Sequence, residues 1–174
     1  MKRRGLLAGA ILSLLSSTVA QHAGTTAAAQ TPPDQQLVGT WTLVSVDNLL
    51  SDGSRVHLYG PEPQGLLMFD AGGRYSLQIY RADRAKFASN DKSTGTPEEN
   101  SAAVQGANAH FGRYAVDAAG HTITFRIEHA SFPNWEGTQQ QRAYAVTGDI
   151  LTYTVPTPTS GGTATGEVQW KRAR

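Results

Sequence analysis

The sequence predicts an all-β protein: an eight-stranded antiparallel up-and-down barrel with one short helix in an insertion at about 97–110. Three observations carry that expectation. From Leu37 onward the segments alternate apolar and polar side chains with period two, as strands with unlike faces do. Tight connections, Ala71-Gly72-Gly73, Ala118-Ala119-Gly120 and Thr147-Gly148-Asp149, separate neighbouring segments like hairpin turns. A meander of this kind leaves exposed edges, which closure into a barrel removes.

Residues 1–29 are expected to be a signal peptide. Lys2, Arg3 and Arg4 form a basic start, Leu6 to Val19 an apolar run, and small residues place cleavage after Ala20 or, with a better Ala-x-Ala pattern, after Ala29. Export is therefore expected, to the periplasm or beyond. The route is Sec or, since Arg3-Arg4 precede Leu6-Leu7, the twin-arginine pathway. No later segment is long and apolar enough for a membrane span. Of the 15 basic and 14 acidic residues, the leader holds three and none, so the mature region carries 12 against 14, a net of −2. No Lys/Arg run survives in it, which argues against a nucleic-acid partner. The chain has no Cys, excluding disulfides and thiolate metal sites.

Residues 30–36, QTPPDQQ, read as a linker, and 37–174 as one barrel domain. The strands expected in order are LVGTWTLVSVDN at 37–48, QGLLMFD at 64–70, RYSLQIYR at 74–81, FGRYAVD at 111–117, HTITFRIEH at 121–129, GTQQQRAYAV at 137–146, DILTYTV at 149–155 and ATGEVQWKRA at 164–173. On the fifth, His121, Ile123, Phe125, Ile127 and His129 are expected to share one face. Thr96-Pro97-Glu98-Glu99 opens the helix: Thr as N-cap, Pro in the first turn, and Glu three residues on to complete a capping box. Residues 81–110 are expected to cover one end of the barrel.

LVGTWTLVS at 37–45, GPEPQGLLMFDAGGRYS at 60–76, RADRAKFAS at 81–89, TPEE at 96–99, HFGRYAVD at 110–117 and FPNWEGTQQQRAY at 132–144 occur here in the order found in the small lipocalin-like domain family, which the chain resembles over essentially all of 37–172. The resemblance implies a calycin-type barrel with a central cavity and transfers no catalytic residues. It also implies that Trp41 packs across the closed end near a basic residue of the last strand, Arg172 or Lys171.

Nine residues are candidate ligand contacts. Trp41 would form a cavity floor, and Tyr75 faces the core side of its strand. Arg81, with Arg84 and Lys86, puts a basic cluster beside Phe87 in the loop after that strand. Trp135, beside Phe132, belongs at a barrel rim. His129 is expected to face inward, and Tyr144 lies on the strand that follows the rim. Arg126 and Arg142 alternate with apolar neighbours, so either one, turned inward, would be a costly buried cation in need of a ligand or a carboxylate. His121 and His129 lie about 27 Å apart in extended chain, His57 falls in a loop and His110 at the end of the helix, so no metal site is expected. No nucleophile motif or phosphate loop is present, no cofactor is implied, and catalytic residues are unknown.

The expected function is binding of a small hydrophobic molecule in the barrel. Two readings stay beside it: a cofactor-free isomerase or cyclase acting in the same cavity, and a structural or interaction module whose barrel is filled. The oligomeric state is not encoded in any pattern of the chain.

Overall fold

The computed structural model describes residues 35–158 and 164–174; the expected leader and nearly all of the linker lie outside them. Nine strands form one antiparallel sheet: β1 (Gly39–Leu49), β2 (Arg55–His57), β3 (Gln64–Phe69), β4 (Arg74–Tyr80), β5 (Ala107–Asp117), β6 (Thr122–Ala130), β7 (Gln139–Thr147), β8 (Ile150–Val155) and β9 (Thr165–Arg172). Helix α1 (Pro97–Gln105) stands between β4 and β5. Strands β3 to β9 pair in chain order. β1 then pairs with both β3 and β9, closing an eight-stranded barrel, while β2 lies on β1 beside β3.

The alternation read from the sequence sets which faces turn inward. On β4, Tyr75, Leu77 and Ile79 are buried; on β6, Ile123, Phe125 and Ile127; on β8, Leu151 and Tyr153; on β9, Val168 and Trp170. Burying such side chains, at about 1.5–3 kcal/mol for each large one, is the main force holding the barrel shut.

Closure is secured at one end by Trp41, which is fully buried. Its Nε1 donates to the Leu37 carbonyl at 2.9 Å, and the Arg172 guanidinium of β9 stacks 4.1 Å above its ring. Arg172 also donates to the carbonyls of Val38 and Gln36, so one side chain ties the last strand to the chain entering the first.

Three features depart from the sequence expectation. β2 carries no alternation signal, and side chains fasten it: buried Asp47 of β1 meets Arg55 at 3.2 Å and His57 at 2.7 Å, while Arg55 also reaches Glu167 at 2.8 Å. Helix α1 stops at Gln105 rather than near 110. Its capping box forms as read, with Glu99 N–H donating to Thr96 Oγ1 at 3.2 Å and Thr96 N–H to the Glu99 carboxylate at 2.8 Å. The helix buries no residue, however, so nothing holds a further turn against the sheet; residues 107–110 instead gain a ladder with Leu77–Tyr80.

The third departure is a bulge where β5 meets β6, between Phe111 and Gly112. Gly112 pairs with Ile127 but Phe111 pairs with His129, leaving Glu128 as the extra residue. One extra residue reverses the in/out phase beyond it. His129 therefore points outward, its side chain 68% exposed and its Nδ1 3.3 Å from Glu136, instead of facing the core. On β5 the alternation runs unbroken, and His110 points inward with Gly112 and Tyr114. His121 also leaves the expected face, sitting in the turn before β6 with φ +47°.

At the bulge the two strands approach so closely that a Cβ on Gly112 would lie 2.1 Å from the Arg126 carbonyl oxygen. Replacing Gly112 with Ala forces these strands apart and is expected to cost about 1–3 kcal/mol, as overpacking elsewhere does. Urea unfolding checks this, and an unchanged midpoint would show that the bulge shifts to accommodate the methyl group.

Candidate functional site

The barrel is closed at the Trp41 end and hollow towards the other, where a cavity of ≈ 1260 Å³ opens. The volume exceeds the usual span of small-molecule pockets, about 300–1,000 Å³. Aromatic rings form its floor. Phe125 and Tyr153 line it, their centroids 6.2 Å apart, and Tyr75 packs edge-on against Phe125 at 4.7 Å from beneath. The walls are mixed: Val46, Leu77, Ile79 and Val168 share them with Asn48, Asn108 and the glutamines of β7.

The rim is built from connections. The end of α1 contributes Ala102, Val104 and Gln105. Phe132 and Trp135 come from the turn over 131–137, where Pro133–Trp135 form one 3₁₀ turn and the two rings meet edge-to-face at 5.6 Å. Tyr59 stands on the opposite side with its hydroxyl hydrogen-bonded to Asn108, and burial pushes its pKa up. Arg81 lines the rim as well, but Asp83 holds its guanidinium at 2.9 Å.

The polar interior is a cluster on β4, β5, β7 and β8. The Tyr75 hydroxyl lies 2.8 Å from His110 Nδ1, and the His110 ring lines the cavity with Trp135 edge-on at 5.8 Å. Burial, reinforced by the nearby Arg142 cation, drives the His110 pKa down to about 4, so the imidazole is neutral at pH 7. Burial drives Tyr75 far up and Tyr153 up to about 12, so both phenols keep their protons. A neutral His110 accepting from Tyr75 at Nδ1 carries its own proton on Nε2.

Arg142 is the inward-facing arginine of β7 and lines the cavity half-buried. It donates to the Gln141 carbonyl at 2.9 Å and to Gln140 Oε1, and burial lowers its pKa against the opposing influence of Tyr153 and Tyr75. Among the described residues no carboxylate lies within 4.0 Å of it.

Of the nine candidate contacts, the structure brings Arg81, Trp135 and Arg142 to the cavity. Tyr75 reaches it only through His110. Trp41 lies at the closed end, and the floor role falls to Phe125 and Tyr153. Phe87 packs over Gly95 within the insertion, and Tyr144 is buried beside His121, 6.1 Å away, outside the cavity lining. Arg126 and His129 are on the outer face. Sequence reasoning missed His110, Tyr153 and Asn108. The signal for His110 was the alternation His110, Gly112, Tyr114, Val116, extended two residues earlier than expected. Among the described residues no three His, Asp or Glu side chains gather as a metal would require, and no helix is long and apolar enough to cross a membrane.

A closed antiparallel barrel with its cavity at one end and a Trp–Arg stack at the other defines a calycin-type protein. The model of the lipocalin-like domain family matches residues 38–173, and the chain belongs to that family. It is similar to the 4'-hydroxy-3'-methoxypropiophenone carrier protein ppsC of Aspergillus oryzae, 32% identical over 82 residues that span 44% of this chain and 74% of the relative. Among solved structures it is similar to a redesigned β-barrel, with a TM-score of 0.41, 14% identity, and coverage of 79% of this chain and 92% of the other.

The depressed His110 pKa has a consequence for stability. The unfolded chain binds a proton near pH 6.5 that the folded chain refuses until about pH 4. His110's contribution is therefore complete above pH 6.5 and lost as pH falls towards 4, on the order of 3 kcal/mol in all. Thermal melts of the wild type and His110→Gln across pH 4–7.5 isolate the effect from the surface carboxylates. The wild type is expected to lose stability on acidification more steeply than the variant.

Proposed function

We propose that this protein is a carrier: it holds one small, mainly apolar aromatic molecule in the barrel. The observation that carries the reading is the ≈ 1260 Å³ cavity, with an aromatic floor and with aliphatic and polar side chains sharing its walls. The similarity to a carrier of 4'-hydroxy-3'-methoxypropiophenone, a small aromatic ketone, supports the same class of cargo.

An enzyme would use the same groups, but their proton affinities argue for binding. General acid–base catalysis works best with pKa values near the operating pH. His110 at about 4 and Tyr75 driven upward have both moved away from neutrality. They serve better as fixed hydrogen-bond partners than as proton shuttles.

Trp135 gives the test its reporter, since it lines the cavity whereas Trp41 and Trp170 are fully buried. Titration with hydroxyaryl ketones is expected to quench fluorescence in the wild type and much less in Trp135→Phe. Val46→Trp, which fills the cavity from its wall, is expected to reduce affinity at least about tenfold. Undiminished binding in the filled variant would place the ligand elsewhere.

The carrier reading includes export, supported by the basic start and apolar run of residues 1–29. A reporter fused to residues 1–29 is expected outside the cytoplasm. Replacing Arg3 and Arg4 with Lys blocks export by the twin-arginine route and leaves the Sec route open, and a wild-type fusion retained in the cytoplasm overturns export.

A further inference from the structure

We propose that the cargo carries an oxyanion, a carboxylate or an ionised phenol, on its aromatic body, and that Arg142 receives it together with the Nε2–H of His110. The proposal rests on reading the cavity as a ligand site and adds the charge of the ligand.

The first observation is the state of Arg142. Five other arginines meet a carboxylate within 4.0 Å: Arg55 reaches Asp47 and Glu167, Arg74 and Arg113 reach Glu128, Arg81 reaches Asp83, and Arg174 reaches Asp149. Arg172 and Arg84 stack on Trp41 and Tyr80. Among the described residues Arg142 faces the cavity with neutral partners only, the Gln140 amide and a backbone carbonyl. An arginine stays ionised under all ordinary conditions, so its charge cannot be relieved by losing a proton. Half-buried without a counter-ion, it has lost part of its hydration, and an anion arriving beside it restores a favourable partner.

The second observation is the direction of the neighbouring hydrogen bonds. Gln140 Oε1 accepts from Arg142, which orients the guanidinium. These two bonds use two of its five N–H groups and leave others to form a fork for a planar oxyanion. We assign the 2.8 Å contact as Tyr75 O–H donating to His110 Nδ1, the tautomer that leaves Nε2–H as a donor on a ring that lines the cavity. The inner end of the cavity therefore presents donors to its occupant. The aromatic floor of Phe125 and Tyr153 lies alongside, so the charged group and the ring of one small molecule are served together.

The test compares matched pairs by calorimetry on the intact chain at pH 7.5. The probes are one- and two-ring aryl carboxylates with their primary amides, and acidic phenols with their methyl ethers. At least one class of oxyanion is expected to bind about tenfold or more tightly than its neutral isostere, and the class showing the gap identifies the group carried. Arg142→Met is expected to bring the pair to within about twofold, while Arg142→Lys keeps part of the preference. Should Arg142→Met fail to fold by circular dichroism, the wild-type pairs and Arg142→Lys still decide. Neutral isosteres that bind as tightly as their anions overturn the charge proposal and leave the carrier reading standing. Absence of binding by every probe, charged and neutral, overturns both.

Discussion

The pairing of the first strand with the last is the constraint on which the rest depends. A sheet of this length is stable in water only if its edges are satisfied, and here β1 and β9 satisfy each other. Trp41 and Arg172 fix that seam. The ring fills the closed end of the barrel, and the guanidinium lies over its face while holding the carbonyls of Gln36 and Val38. Hydrophobic packing is concentrated at this end, so the other end is released from the duty of holding the fold together. It is there that the interior is hollow.

The hollow end is polar in a selective way. Arg142 has no carboxylate within reach among the described residues, the imidazole is held neutral, and the phenols are held protonated. Burial is the leading cause of each shift, with Arg142 as the shared electrostatic neighbour. An environment that suppresses ionisation in every group except the arginine has a fixed positive sign across the working pH range. Under the proposed carrier function, such a site discriminates by charge and shape rather than by moving protons.

Much of this architecture was legible in the sequence because it follows from local rules. Alternation on 74–80 and 150–155 gave the right strands and the right inward faces, and Thr96 to Glu99 announced the start of α1. The site was less legible, since it depends on register. Arg126 and Arg142 both stand on strands, yet Arg126 alternates with inward Phe125 and Ile127 and faces water, whereas Arg142 is in phase with inward Tyr144 and faces the cavity. His129 turns outward because Glu128 adds one residue to β6 opposite Gly112, an event that the period of β6 does not announce, whereas His110 simply continues the inward alternation of β5 ahead of its expected start. The strand Arg55–His57 was hidden for another reason: it is held by an ion pair from Arg55 and a hydrogen bond from His57 to Asp47 rather than by an apolar face.

The bulge at Glu128 also bears on how barrels of this kind diverge. Changing what a cavity recognises is usually imagined as exchanging one lining residue for another. Here drawing Glu128 into the regular ladder, by a one-residue change of length in the turn that follows, would turn His129 inward and Ala130 outward with no substitution in the lining. The chemistry of the interior is thus partly encoded in chain length, and drift by insertion and deletion near the rim offers a route to new cargo that substitution alone would reach only slowly.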